Sequence, residues 1–340
     1  MRLQITHETV YDYSPAVETA QHMVYLTPLH SATQQLLSHH LLVSPQPARI
    51  SIMPDVFGNS RSFFSLQVMH RQLRVVGISE VLTQACPLPE SELSWERARE
   101  AFRYRAAAPF DAANEFVFAS PMVPRQSDFA VYARPSFAPG RGLLASAIDL
   151  MHRINAEFTY ESQSTEVNTP AIQALAQRTG VCQDFAHIFV ACLRSLGLAA
   201  RYVSGYLLTE SAPGTIKLKG SDASHAWASV YLPDLPAGQR WVHLDPTNDR
   251  AGWCGPGEDY VLLATGRDFS DVSPMRGVIH GGASHTLTVG VTVEPVLPTS
   301  ASAAPSPDRH QGQSQSQGQY QSQSQSQSQS QSQSQSQSQP

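Results

Sequence analysis

Cysteine is scarce. Only Cys86, Cys182, Cys192 and Cys254 occur, far apart and with no C-x-x-C pair, which argues against a disulfide framework and against a zinc knuckle. Charge is sparse too: 23 Lys and Arg stand against 28 Asp and Glu, and no basic cluster breaks the balance. Without that electrostatic footprint, neither nucleic acid nor an anionic membrane is an expected partner. No run of about 18 apolar residues offers a membrane span. Met1 to His7 leads directly into polar, strand-like alternation without the apolar block of a signal peptide. The expected compartment is the cytoplasm. From Gln311 to Pro340 almost nothing remains but alternating Gln and Ser, with Tyr320 the one apolar exception. Such a stretch cannot bury enough surface to offset its conformational entropy, so residues 297–340 are expected to form a disordered tail. The rest of the chain, with 41% hydrophobic and 8% aromatic residues counted over the whole length, has core material for about two domains.

Residues 2 to about 90 read as strands. Leu3 and Ile5, Val10-Tyr11, Leu41-Leu42-Val43, Ile50 and Ile52, Phe63 to Leu66 and Leu73 to Val76 are separated by Pro, Gly and Asn, with a turn signal at Asp55-Val56-Phe57-Gly58-Asn59. The pattern predicts an N-terminal β-sandwich over 1–90. A helix is predicted over Trp95 to Ala108, and the proline-rich stretch from Pro109 to Gly142 reads as a linker, giving a helix-and-linker segment over 91–142. Helical spacing then returns in Leu143–Phe158, Pro170–Thr179 and Cys182–Leu196, the last closed by Gly197. Strands follow at Arg201–Leu208, His225–Leu232, Gln239–Asp245, Tyr260–Ala264 and His285–Val293. A long helix against an antiparallel sheet predicts an α+β core over 143–296.

Cys182 opens the third of those helices. Unpaired backbone N–H groups and the positive end of the helix dipole stabilise a thiolate there. Its place near the stripe of Phe185 and Ala186 turns the sulfur toward the strands. Pairing symmetric about residue 235 sets Ser229 against Trp241, Trp227 against His243 and His225 against Asp245, so an imidazole and a carboxylate share one face. A one-residue slip would separate them. Cys182 as nucleophile, His225 as base and acid, and Asp245 as orienter imply acyl transfer at an amide through a thioester, with no metal or organic cofactor required.

These residues lie in runs that carry a resemblance. Thr179-Gly180-Val181-Cys182-Gln183-Asp184, Arg201 to Tyr206, Ser224-His225-Ala226-Trp227 and Trp241 through Asp245-Pro246-Thr247-Asn248 resemble the bacterial transglutaminase-like family of papain-like cysteine enzymes. Residues 2 to about 85, with Tyr11-Asp12-Tyr13, Pro28 and the Asp55 to Asn59 turn, resemble the β domain that accompanies that core. The resemblance implies a transglutaminase-like fold with a Cys-His-Asp triad. It covers transglutaminases, peptidases and amidases, so it implies a peptide, protein or other amide substrate without separating hydrolysis from transfer. A catalytically silent binding or scaffold module is the alternative reading.

Other residues have blander roles. Cys192, flanked by Ile188 and Leu196, reads as core. Asp184 suits the helix dipole, with a supporting role left open by its nearness to Cys182. His187, five residues after Cys182, points away from the thiol. His243 reads as structural, Trp227 as core or as a wall of the acyl pocket, and Gln163 as an oxyanion donor by position only.

Overall fold

The computed structural model describes residues 1–103, 106, 110–162, 164–209, 224–253, 255–282 and 284–296. Gln163, Cys254 and the Gln/Ser-rich tail, three features singled out from the sequence, lie outside the described residues. The chain opens with five antiparallel strands, β1 (Arg2–Val24), β2 (Gln34–Ser44), β3 (Ile50–Pro54), β4 (Ser60–Leu66) and β5 (His70–Thr83). Helices α1 (Trp95–Ala101), α2 (Ser127–Ala133) and α3 (Leu143–Glu157) follow. A two-residue parallel pair, β6 (Thr159–Tyr160) and β7 (Thr179–Gly180), brackets α4 (Ala171–Gln177) and leads into α5 (Cys182–Ser195). Strands β8 (Ala200–Leu207), β9 (Ser224–Tyr231), β10 (Trp241–Asp245), β11 (Arg250–Trp253) and β12 (Tyr260–Gly266) come next, then α6 (Phe269–Val272), β13 (Met275–Gly281) and β14 (Ser284–Pro295).

Alternation dictates the N-terminal strands: Leu3, Ile5, His7 and Thr9 of β1 turn inward while their neighbours face out. In place of two stacked layers they form one curled antiparallel sheet, ordered β2-β5-β1-β4-β3, with β13 and β14 also paired to β1. The first half of β1 lies between β5 and β14 and its second half between β4 and β13, with register breaks near Val17 where the strand changes partners. His285 to Val293, grouped by sequence with the catalytic strands, thus returns to the N-terminal sheet instead.

The second sheet, β11-β10-β9-β8-β12, is antiparallel and carries α5 on one face. Phe185, Ile188, Phe189, Cys192 and Leu196 of α5 and its C-terminal cap are buried against Ala228, Val230, Val242 and Leu244. That is the apolar stripe the spacing predicted. The stretch read as a linker is not one: Phe129, Tyr132 and Ala133 of α2 and Phe137 are buried in the same core, so prolines here punctuate packed structure. The helix expected from Trp95 ends at Ala101. Among the described residues no helix is long and apolar enough to cross a membrane.

Two side-chain amides fasten the N-terminal sheet to the free edge of β12. Gln34 accepts from Leu262 N–H at 2.7 Å and donates to Leu262 C=O at 2.7 Å; Asn59 does the same with Thr265, at 2.8 Å each way. Each amide imitates a strand; Leu262 C=O also accepts from Leu29 N–H at 3.1 Å, while Asn59 satisfies both Thr265 groups. Asp55 holds Asn59 in place by accepting from its amide at 2.8 Å, which is why the Asp55 to Asn59 turn is more than a turn. Asn59→Ala strips both β12 groups of their partner and is expected to cost about 2–4 kcal/mol. Urea unfolding should show it; a loss under about 0.5 kcal/mol would mean that water replaces the amide and the edge is not sealed.

Candidate active site

The start of α5 is set by two local features. Val181 is extended, with φ −113° and ψ 178°, and the carboxylate of Asp184 accepts from Val181 N–H at 2.9 Å and from the Thr165 hydroxyl at 2.6 Å. Asp184 therefore caps the helix from its first turn. Burial pushes its carboxyl pKa up, against the two bonds that favour the charged form. Gly180 is needed beneath it, because a Cβ there would sit 2.8 Å from the Asp184 Cβ. This arrangement leaves Cys182 as the first residue of the helix, half-buried, against a cluster of Ala186, Tyr202, Ala226 and, from the N-terminal sheet, Tyr25 and Met23.

The Cys182 sulfur lies beside the imidazole of His225 on β9, close enough for its charge to act on the ring. His225 Nε2 lies 2.7 Å from Asp245 Oδ2 at the end of β10 and 3.2 Å from the Asn248 amide nitrogen, so Nδ1 is the ring nitrogen left for the sulfur. Asp245 is fully buried, and both oxygens are occupied. Oδ2 also accepts from the Tyr260 hydroxyl and the Asn248 amide, each at 2.7 Å, and Oδ1 accepts from Thr247 N–H at 2.9 Å. Burial pushes the Asp245 pKa up, but the His225 imidazole and these donors outweigh it and hold the carboxyl below its ordinary range. Burial likewise disfavours a charged His225; its bond to Asp245 and the neighbouring Cys182 sulfur win and hold the ring protonated up to about 10.

Behind the imidazole stands Trp227, its ring 5.9 Å away centroid to centroid and tilted by 26°. Its indole N–H donates to His243 Nδ1 at 2.8 Å. A Cβ on Gly205 of β8 would lie 2.5 Å from Trp227 Cη2, so only glycine lets the indole take this place. Trp227 is fully buried; it backs the imidazole and buttresses His243. Nor does the hairpin have its predicted register. His243 faces Ser229, not Trp227, a shift of two residues. An even shift preserves the face, and His225 and Asp245 meet diagonally.

Of the residues singled out, the fold brings Cys182, His225 and Asp245 together, with Trp227 behind and Asp184 beneath. His187 is buried away from the thiol, accepting from Phe269 N–H at 3.2 Å, and Cys192 lies in the core. Asn248 and Tyr260 were missed. Asn248 was legible as the residue that closes a turn back onto Asp245, whereas only the fold brings Tyr260 there. Tyr160, half exposed on β6 with its ring edge against Phe185, also lies close enough to Cys182 to feel its charge. Among the described residues no three His, Cys, Asp or Glu side chains gather as a metal-binding group.

A cysteine at a helix start, facing a histidine and an aspartate on adjacent antiparallel strands, defines a papain-like, transglutaminase-like core. Residues 134–246 match the transglutaminase-like superfamily and residues 3–82 the bacterial transglutaminase-like N-terminal region. The chain belongs to the bacterial transglutaminase-like family. It is similar to an uncharacterized protein of Mycobacterium tuberculosis, 39% identical over 304 residues that cover 86% of this chain and 93% of that one. An uncharacterized protein of Mycobacterium leprae is 26% identical over 295 residues, 86% of this chain and 98% of its own. A shorter similarity, 29% over 122 residues, covers 34% of this chain and 15% of the peptide-N(4)-(N-acetyl-beta-glucosaminyl)asparagine amidase of Macaca fascicularis. Among solved structures, a candidate cysteine protease from Cytophaga hutchinsonii shares the fold with a TM-score of 0.65 at 21% identity, over 88% of this chain and 92% of that one.

Proposed function

We propose that the chain is a cysteine-dependent amide acyl hydrolase or acyltransferase. The supporting observation is the Cys182–His225–Asp245 relay, in which a sulfur at a helix start meets an imidazole held protonated by a buried carboxylate. The thiolate attacks the amide carbonyl, and the Cys182 backbone N–H receives the oxyanion. Collapse breaks the C–N bond while His225 gives its proton to the departing amine, leaving a thioester on Cys182. Water, or a second amine, then attacks; His225 takes the proton from that nucleophile, the C–S bond breaks, and the thiolate returns. We favour water, because at about 55 M it outcompetes an amine unless the site holds the amine and stays dry.

Two measurements test this reading. Iodoacetamide should alkylate Cys182 at neutral pH at least about tenfold faster than a free thiol, and His225→Ala should remove the advantage. A free-thiol rate indifferent to His225→Ala would favour a scaffold. Mass spectrometry of a peptide library, with and without an added primary amine, then separates the branches. Cleavage or deamidation means hydrolysis, amine incorporation means transfer, and neither outcome relative to Cys182→Ala means that no such enzyme is present.

A further inference from the structure

The N-terminal sheet has one face buried, by Phe64, Val24, Leu66 and Met275, and one face open. Directly opposed residues share a face, so the pairs Met23–Phe63, Met23–Arg276, Gln21–Val278 and Arg61–Met53 put all these side chains on the open one. Three of them are apolar yet uncovered: Phe63 is 39% exposed, Met53 50% and Val278 75%. The face adjoins the thiol, since Met23 of β1 packs, like Cys182, against the cluster that contains Tyr25, the residue just after β1.

It is also basic. Arg276 lies over the Tyr25 ring at 5.8 Å, and both Arg276 and Arg61 lie near enough for their charges to act on the Tyr25 hydroxyl. Asp55, the acid of that neighbourhood, is occupied by the N–H groups of Phe57 and Asn59. Arg61 Nε is buried and has no acceptor among the described residues. Arg276 gives Nη1 to Ser270 C=O and Nη2 to the Met23 sulfur, neither of them an anion.

Resting on the acyl-transfer reading of Cys182, we propose that the substrate is an extended, acidic polypeptide. It leaves the thiol past Met23 and crosses the open face of β13, β1, β4 and β3. Its apolar side chains lie on Met23, Phe63 and Met53, and a carboxylate side chain takes the place between Arg61 and Arg276. The four strands span about 14 Å, which about four extended residues cover. Charge complementarity with Arg61 and Arg276 chooses the acidic polypeptide.

The test is direct binding of a positional library of acetylated, amidated decapeptides to full-length Cys182→Ala, read by fluorescence anisotropy. Selection should favour Asp or Glu within about four positions of apolar residues. Arg61→Ala with Arg276→Ala should weaken the selected peptide at least tenfold, and raised salt should weaken wild-type binding. Phe63→Glu, a surface change that leaves the core intact, should repel it equally. Iodoacetamide labelling of Cys182 in the arginine variant, with cysteine restored, should keep its wild-type rate. Absence of acidic preference, or binding indifferent to both arginines, overturns the proposal. So does a dimer in sedimentation that Phe63→Glu dissolves, since a second copy would then cover the face. Because Cys182→Ala cannot turn over, these outcomes are independent of whether the wild type cleaves amides.

Discussion

Asp245→Asn is expected to lower kcat/KM on an amide substrate by about three to four orders of magnitude, as removal of the orienting carboxylate does in catalytic triads generally. Three donors converge on Oδ2, from His225, Asn248 and Tyr260, and the Thr247 N–H holds Oδ1. Either orientation of an asparagine amide sets its NH2 against a donor, and neither carries the charge that favours an imidazolium. His225 should then fall from about 10 toward the ordinary histidine range. The alkaline limb of the pH–rate profile, which in the wild type follows loss of the His225 proton near 10, should move down with it. Iodoacetamide alkylation at neutral pH should slow in parallel, which a merely structural loss would not produce. Activity within tenfold of wild type, with an unmoved alkaline limb, would show that the carboxylate does not hold the ring charged.

How much of this was legible depended on distance along the chain. Helix α5 and its buried stripe could be read from spacing alone, because helical contacts are local. The face shared by His225 and Asp245 was also legible, since side chains alternate and an even error in register does no harm. The register itself was not. The loop is centred one residue later than its composition suggested, with Gln239 N–H bonded to Pro236 C=O and Leu232 paired with Arg240. Helix α2 was overlooked behind prolines, although Phe129, Tyr132 and Ala133 at intervals of three and one already marked a buried face. The return of β13 and β14 to β1 had no local signal, because strand pairing across more than 250 residues is decided by the whole fold. Tyr260 is the same case at the site: a strand residue whose hydroxyl reaches Asp245 only after β12 has taken its place beside β8.

Acid should unfold this protein well above the carboxylate range. Burial pushes His7, His22 and His187 down to about 4, and His243 well below its ordinary value. An unfolded chain titrates its histidines near 6.5, so between those values the unfolded state binds protons that the native state refuses, and stability falls as pH falls. Each group at about 4 accounts for at most about 3 kcal/mol, and three together rival the whole margin of a typical domain, about 5–15 kcal/mol. Asp245 acts in the same sense lower down, since a depressed carboxyl loses its contribution as acid protonates it. His225 acts oppositely: the stability from its raised pKa is complete below 6.5 and is lost as pH rises through about 10. The urea midpoint should therefore peak near pH 7, decline toward pH 10 as the His225 contribution is lost, and drop steeply by pH 5. His22 is the residue to change. Neither ring nitrogen has a partner among the described residues, the ring lies 5.3 Å from Phe64, and His70 is the charge that faces it. His22→Phe removes one native refusal without breaking a hydrogen bond, so its benefit should be larger at pH 5 than at pH 7.5, by up to about 2 kcal/mol. An equal effect at both values, or a flat midpoint from pH 7.5 to 4.5, would mean that these rings take up protons in the folded state as readily as in the unfolded one.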